Sequence, residues 1–390
     1  MSAPLVLHLK PGREDSVIRR HPWIFSGALR ENTDGLEEGA WVFIHNFQDQ
    51  PIAAGYYCGG SIAVRIVLFG AELSDGETAI RRRVEEALAC RRQLGFEPAP
   101  HTAFRLLNGE GDLLPGIVAD WYDGIVVVQL HHRAACYWRD LITKSLQDNL
   151  GSALRHVIVT EAWQSSKNSE TQSSEAANQV RVLEHGLWYL VKPGQGQKTG
   201  FYLDQRSNRL LVRHLSSGRR VLNLFSFTGG FSLNALAGGA SFVRSVDSSA
   251  QALQVLREQL ELNGLPSVRH DCAEADIFRW IHTHDERYDL VICDPPALAH
   301  SLLSRHTAIQ SYKRLNQGAL LRVQPGGLLC TFSCTAVVSE SQFEGAVRAA
   351  AIATGRSVRV LRHLGPDLDH PWLLTHPEGR YLKGFLLQVD

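Results

Sequence analysis

The chain has 390 residues, 44% hydrophobic and 21% charged, with Lys+Arg and Asp+Glu balanced at 40 each. That is globular composition with room for two or three domains; it excludes full disorder, a coiled coil and a uniformly basic nucleic-acid coat, although not a local basic surface. No run approaches the ~18 apolar residues of a membrane span, MSAPLVLHLKPGRED lacks a secretory core, and seven cysteines without a CxxC pair argue against structural zinc and disulfide staples. A cytoplasmic, reduced protein with no membrane partner and no metal is expected.

In chain order, residues 1–73 read as short strands. WVFIHNF, PIAAGYY and SIAVRIVLFG are apolar or β-branched runs broken by Gly, Pro and Asp, which suits a small β-barrel. Within it, RRHPWIFSG at 19–27 sets Arg20 and Trp23 side by side. A cation beside an aromatic suits phosphate contact and stacking on an unpaired base, although a solvated helix face followed by a turn is the commoner meaning of such a run. Residues 74–190 form a second unit: a helix over 75–94, a turn-rich segment running into the buried strand of GIVVVQL, and a helix near 136–150. The Ser-rich SSKNSETQSSEAAN at 165–178 reads as a linker.

Residues 191–390 alternate strand and helix, which predicts a parallel sheet. Strands are expected at VLNLFSF (221–227), FVRSVD (242–247), within SVRHDCAEADIF, at YDLVICDPP (288–296) and at LLCTFSCT (328–335). SVRVLRHL and YLKGFLLQV are expected to close the sheet as an antiparallel pair. Helices are expected from Ser248 or Ser249 to Asn263-Gly264, over 307–324, and over SESQFEGAVRAAAIATG.

Ligands of an open α/β sheet bind beyond the carboxyl ends of its strands. Those ends carry Phe225 to Gly230, Asp247, Asp276, Asp294-Pro295-Pro296 and Ser333-Cys334. There is no G-x-G-x-x-G for a pyrophosphate, only Thr228-Gly229-Gly230 followed by Phe231, so a nicotinamide enzyme is disfavoured. The glycines permit close backbone approach. Asp247, about 20 residues on, suits two ribose hydroxyls, and Asp276 suits an adenine amino group. A nucleoside without a pyrophosphate fits this set, and S-adenosyl-L-methionine is such a ligand. The expected cofactor-binding residues are Phe225, Thr228, Gly229, Gly230, Asp247, Ser248, Asp276, Ile277 and Asp294, with helix capping the alternative for Asp247 and Asp276. Two basic segments flank the cleft: Lys198 with Arg206, Arg209, Arg213, Arg219 and Arg220, and Arg305 with Lys313, Arg314 and Arg322. Such segments neutralise phosphates. Asp204-Gln205-Arg206 reads as a turn salt bridge or as part of the cleft lining.

The ordered series RRHPWIFSGA (19–28), LLPGIVAD (113–120), QKTGFYLDQRSNR (197–209), VLNLFSFTGGFSL (221–233), VDSS (246–249), CDPP (293–296), YKRLN (312–316), TFSCT (331–335), HP (370–371) and YLKGF (381–385) spans nearly the whole chain. In this series the sequence resembles the bacterial PUA-domain-containing class I S-adenosylmethionine-dependent ribosomal RNA large-subunit 5-methylcytosine methyltransferases. The resemblance implies a PUA-like RNA-binding barrel (1–73), a central α/β RNA-binding or linking domain (74–190) and a Rossmann-like catalytic domain (191–390). Its implied partner is large-subunit ribosomal RNA. Oligomeric state stays open, with a homodimer one outcome.

The residue chemistry agrees with that implication. C5 of cytosine is a poor nucleophile, and a thiolate added at C6 turns the base into an enamine-like species. Cys334 stands at a strand end for that role. Asp294 suits the N3/N4 edge of the base, and Pro295-Pro296 make a rigid turn beside it. The target base must leave its stack. The expected catalytic residues are thus Cys334 and Asp294, and the expected substrate contacts are Arg20, Trp23, Arg206, Pro295, Pro296 and Lys313. The base that removes the C5 proton has no assignment. Ala297 stands where many RNA 5-methylcytosine enzymes carry a second cysteine and where the resembled family commonly has Lys. Cys293 alternates away from Asp294 and is expected in the core. Two alternatives remain: a ribosomal RNA guanine methyltransferase that needs no thiol, and a non-catalytic RNA-binding assembly factor.

Overall fold

Five short strands open the chain: β1 (Leu5–His8), β2 (Trp23–Phe25), β3 (Trp41–His45), β4 (Pro51–Tyr57) and β5 (Ile62–Phe69). They form one sheet ordered β1-β3-β4-β5-β2 in this computed structural model, which describes residues 5–98, 102–164, 179–194, 200–299 and 301–390. The Ser-rich 165–178, Lys198 and His300 lie outside the described residues. Val42 and Ile44 point inward from β3 while their neighbours are half-exposed, as a period of two requires. A bridge between Leu9 and Leu29 joins the continuations of the two edge strands and closes the sheet into a barrel, which removes its open edges.

Two compact units are present. The first comprises Met1–Val182, Val191–Leu203 and Leu368–Gly379; the second comprises Leu183–Leu190, Asp204–Asp367 and Arg380–Asp390. In the first, α1 (Gly76–Gln93) starts at Asp75, whose carboxylate accepts the Thr78 N–H at 2.9 Å. It leads into β6 (Ala103–Asn108), β7 (Ile117–Tyr122), β8 (Ile125–Leu130), α2 (Arg139–Leu150) and β9 (His156–Glu161), with the strands in sequence order. Tyr56, Val67 and Leu68 of the barrel share one hydrophobic core with Ile80, Val84, Phe104 and Trp121. The segment 368–379 docks on this unit through polar bonds. Asp369 accepts the Arg105 backbone N–H at 2.9 Å, Arg91 donates to the Asp369 carbonyl at 3.0 Å, and His370 is fully packed against Asp369.

After the hairpin β10 (Val180–Glu184) and β11 (Leu187–Val191), the second unit is built from α3 (Arg206–Leu215), β12 (Arg220–Leu224), α4 (Gly230–Ala237), β13 (Phe242–Asp247), α5 (Ala250–Leu262), β14 (His270–Glu274), α6 (Ile277–Thr283), β15 (Tyr288–Cys293), α7 (Arg305–Arg322), β16 (Val323–Ser333), α8 (Glu340–Thr354), β17 (Val358–Leu364) and β18 (Lys383–Val389). The sheet order is β14-β13-β12-β15-β16-β18-β17, parallel except where β18 runs antiparallel to β16 and β17. This is a Rossmann-like arrangement with the expected antiparallel closure. The order reverses between β12 and β15, which opens the crevice that doubly wound sheets use for ligands.

The strand expected over 221–227 stops at Leu224, because Phe225 and Phe227 adopt left-handed backbone (φ 58° and 48°) that no strand can continue. Helix α3 has no counterpart among the expected helices; its residues fall in a basic segment and in the turn expected at Asp204-Gln205-Arg206. Its inward face is formed by Arg206, Asn208, Arg209 and Val212, so counting arginine as exposed hides its amphipathic pattern. Among the described residues, no helix is long and apolar enough to cross a membrane.

Candidate active site

The cleft begins at the turn between β12 and α4. Alternating left-handed residues, Phe225, Phe227 and Gly229 (φ 83°), fold it tightly against the strand ends. The Asp247 carboxylate accepts the Phe227 N–H at 2.7 Å with one oxygen and the Ser249 N–H at 2.9 Å with the other. It therefore couples the ends of β12 and β13, and each oxygen retains a lone pair. At Gly229 a Cβ would lie 2.4 Å from Cγ of Leu256, so both conformation and space demand glycine. Beneath the turn, a buried chain of side-chain hydrogen bonds runs Asn223, Ser232, Ser245, His270. Burial lowers the His270 pKa to about 4, so the chain is uncharged. The hydroxyl of Ser226 is buried in the turn and has no hydrogen-bond partner among the described residues.

The other expected cofactor residues lie along the neighbouring strand ends. Ser248 is exposed, and the helix cap falls to Ser249. Asp276 is exposed and caps α6, accepting the Phe278 N–H at 2.8 Å. Ile277 is 3% exposed and belongs to the core beneath. Thr228 is half-buried, and its carbonyl accepts from the Gln259 side chain.

Across the switch point, β15 delivers Asp294 and β16 delivers Cys334. The Cys334 thiol is partly exposed and points its Sγ at the Pro295 carbonyl oxygen, 3.6 Å away. It is therefore not walled off behind the sheet. Pro295 is buried and Pro296 exposed. Gln205 Nε2 donates to Asp294 Oδ2 at 3.0 Å, and Gln205 is itself held by Asn208 Nδ2 at 2.6 Å. The turn that carries Cys334 is clamped at Thr335: its Oγ1 pairs with the Tyr312 hydroxyl at 2.7 Å and accepts the Leu298 N–H at 3.0 Å, and its carbonyl accepts from Lys383 Nζ at 2.7 Å. Lys383 is 1% exposed, and burial lowers its pKa to about 8. Neither Lys383 nor Tyr312 was singled out from sequence. They arrive from β18 and α7, and only their places in YLKGF and YKRLN marked them. Two other cysteines of this sheet are different in kind. Cys293 and Cys330 are buried, and burial pushes both thiols up, Cys330 to about 12.

The residues expected to meet RNA fare unevenly. Arg206 is 4% exposed and bonded to Asp367 at 2.8 Å, with Glu184 3.6 Å away. Two carboxylates hold it inside the unit, which removes it from the phosphate contacts; both come from outside the Asp204–Arg206 turn. Arg209 is buried against Glu184 in the same cluster. Lys313 is half-buried, in a cleft between α7 and α8 with Gln310 and Gln342. In the first unit Arg20 is exposed with φ 57°. Trp23 is half-buried: its Nε1 donates to Glu110 at 3.0 Å, the Arg65 guanidinium stands 5.3 Å from its ring, and His376 lies edge-on at 4.6 Å. Phe25, 51% exposed, is the aromatic of that motif open to solvent.

A family model described as S-adenosylmethionine-dependent methyltransferase matches residues 104–364, and one for a PUA-like domain matches residues 7–69. The chain is similar to ribosomal RNA large subunit methyltransferase I of Escherichia coli (strain SMS-3-5 / SECEC), 36% identical over 402 residues with 100% of each chain covered. It is likewise similar to the Klebsiella pneumoniae (strain 342) protein of that name, 35% identical over 392 residues with 98% of each covered. In fold it is similar to a Streptococcus mutans protein described as a SAM-dependent methyltransferase (TM-score 0.83, 23% identical, 98% of this chain and 100% of that one). It is also similar in fold to a methyltransferase solved in complex with SAH (TM-score 0.83, 23% identical, 99% of each).

Proposed function

The chain belongs to the S-adenosylmethionine-dependent methyltransferase family, and we propose that it methylates C5 of a cytosine in large-subunit ribosomal RNA through a covalent bond between Cys334 and C6. The observation that carries this reading is the partly exposed Cys334 thiol, 3.6 Å from the carbonyl of Pro295, the residue after Asp294. The names of the relatives support the RNA class, and the PUA-like domain supports an RNA-binding partner surface. The cytoplasm is where such a substrate is met.

The turn fits the cofactor on two grounds: a buried Ser226 hydroxyl without a partner among the described residues, and a glycine cradle that a Cβ at 229 would fill. Phe225, Thr228, Gly229, Gly230, Asp247, Ser248, Asp276 and Asp294 would hold it, with Ile277 packing beneath. S-adenosylmethionine supplies an electrophilic methyl group.

The chain's own residues do the rest. The Cys334 thiolate adds to C6; the electron pair of the C5–C6 double bond moves toward N3, making C5 nucleophilic, and N3 gains a proton. Asp294, held by Gln205, faces that polar edge of the base. As C5 takes up the methyl group, N3 gives back the proton it gained and the N3–C4 double bond is restored; C5 then carries both its hydrogen and a methyl group, and that hydrogen must leave as a proton. Lys383 takes it as a neutral amine, the C5–H electron pair restores the C5–C6 double bond, and the S–C6 bond breaks to return the thiolate. Burial makes this lysine an effective base near neutral pH, which an ordinary lysine is not. Ala297 leaves the product-release step without a second thiol.

The test is nucleoside analysis of large-subunit ribosomal RNA incubated with the protein and methyl donor. 5-Methylcytosine is expected, with none from Cys334→Ala. Methylguanine, or full turnover by Cys334→Ala, overturns the reading.

A further inference from the structure

The barrel carries a cluster unrelated to methyl transfer. His8 ends β1 and His45 ends β3, and the two are paired neighbours in parallel register. Their side chains therefore rise on one face, ring centroids 5.6 Å apart. The turn to β4 follows at once. Asn46 Oδ1 accepts the N–H groups of Gln48 and Gln50, which folds the turn back and leaves Asp49 left-handed at φ 64°. Its Oδ1 then lies 2.9 Å from His8 Nε2 and 2.8 Å from His45 Nδ1. Glu31, from the loop after β2, takes the far side of His8: Oε1 is 2.7 Å from Nδ1, and Oε2 accepts the His8 backbone N–H at 2.8 Å.

We propose that His8, His45 and Asp49 bind a divalent transition-metal ion of the Zn²⁺/Co²⁺ class, with Glu31 orienting His8. Two imidazoles and a carboxylate suit such ions better than Mg²⁺ or Ca²⁺, which prefer all-oxygen shells. The three ligand atoms lie within 4.8 Å of one another. Tetrahedral ligands about 2.0–2.1 Å from a metal stand roughly 3.3 Å apart, so the pairs now at 2.8 and 2.9 Å open by about half an ångström. Asp49, on an exposed turn, has the freedom to do so. Glu31 supplies what bound histidines almost always have, a carboxylate on the second ring nitrogen that fixes the tautomer and aims the first. Water completes the shell. The ion would fasten the ends of β1 and β3 to the β3–β4 turn and stabilise the barrel as its concentration exceeds Kd.

A second group, His21, His376 and Glu378, is comparably close but is chemically different. The Trp23 N–H donates to His21 Nδ1 at 3.3 Å, so the ring proton of neutral His21 sits on Nε2, the nitrogen that faces Glu378. That nitrogen then has no lone pair to give. His376 thus provides the control.

The full-length protein is titrated with Zn²⁺ by calorimetry and with Co²⁺ by absorption. One equivalent is expected, with cobalt bands of nitrogen and oxygen ligation and no thiolate charge transfer. Affinity falls at least ~100-fold in His8→Ala and in Asp49→Asn, and about 10–100-fold in Glu31→Gln; it is unchanged in His376→Ala. Asn suits the left-handed backbone at 49 and leaves the core untouched, so lost binding there is not lost folding. No binding by the wild type, thiolate-type spectra, or wild-type affinity in His8→Ala and Asp49→Asn would overturn the site.

Discussion

Lys383 Nζ donates to the carbonyl oxygen of Thr335 across 2.7 Å, one residue beyond Cys334. The pairing places a nearly solvent-free amine beside the thiol, and burial brings its pKa to about 8. A base acts in its neutral form. On the proposed mechanism kcat therefore rises about tenfold per pH unit below 8 and levels off above it. Lys383→Met loses this limb. A profile of the wild type that is flat between about pH 6 and 9 would remove Lys383 from proton transfer.

Blocking the last proton transfer has a second signature. Lys383→Met can still form the Cys334–C6 bond but cannot resolve it, so a protein–RNA adduct accumulates on denaturing gels while product falls by roughly 10²–10⁴-fold. In Cys334→Ala no adduct forms, turnover drops at least ~10³-fold, and cofactor binding measured by calorimetry is retained. Adduct formation by Cys334→Ala would assign the nucleophile elsewhere.

Gln205 is a positioning residue: it holds Asp294 at 3.0 Å and is held in turn by Asn208. A hydrogen bond to a charged group contributes about 1.5–3 kcal/mol. Gln205→Leu should therefore lower kcat by roughly 10–100-fold with KM for the methyl donor little changed, and Gln205→Glu should fail to restore it, because a carboxylate repels Asp294. Steady-state kinetics of the two variants decide the point; wild-type kcat in Gln205→Leu would show that Asp294 needs no such support.

Glu184 anchors Arg209 through bonds of 2.7 and 2.6 Å and lies 3.6 Å from Arg206. Removing it takes a carboxylate away from two buried guanidinium groups. Glu184→Ala should cost about 3–5 kcal/mol in chemical denaturation, whereas the same change at exposed Glu77, one partner of a helix-surface pair with Arg81, costs under about 0.5 kcal/mol.

Much of the architecture was legible in the linear pattern. Period-two runs, Gly and Pro breaks and helix caps placed the strand at 242–247, the start at 288 of the strand expected to reach 296 (it ends at Cys293), and the antiparallel closure, since each of these is a local property. The strand ends were legible for the same reason: apolar runs stop at Asp247, Asp294 and Ser333-Cys334, which puts these side chains at the mouth of the sheet. What failed was anything that needs a partner. Arg206 and Arg209 counted as cationic surface, yet Glu184 and Asp367 bury them. Trp23 read as a stacking platform, yet Arg65, Glu110 and His376 surround it.

The amino-acid order alone determined the type of fold, the succession of its elements and the place at the strand ends of Cys334 and Asp294, on which the proposed function turns, because alternation, capping and strand termination act over a few residues. Only the folded chain decided which distant groups serve them. Lys383 and Tyr312 reach Thr335 from 48 and 23 positions away, and Gln205 reaches Asp294 from 89. Charge state, burial and hydrogen-bond partner are properties of such neighbours in space, which a one-dimensional pattern does not contain.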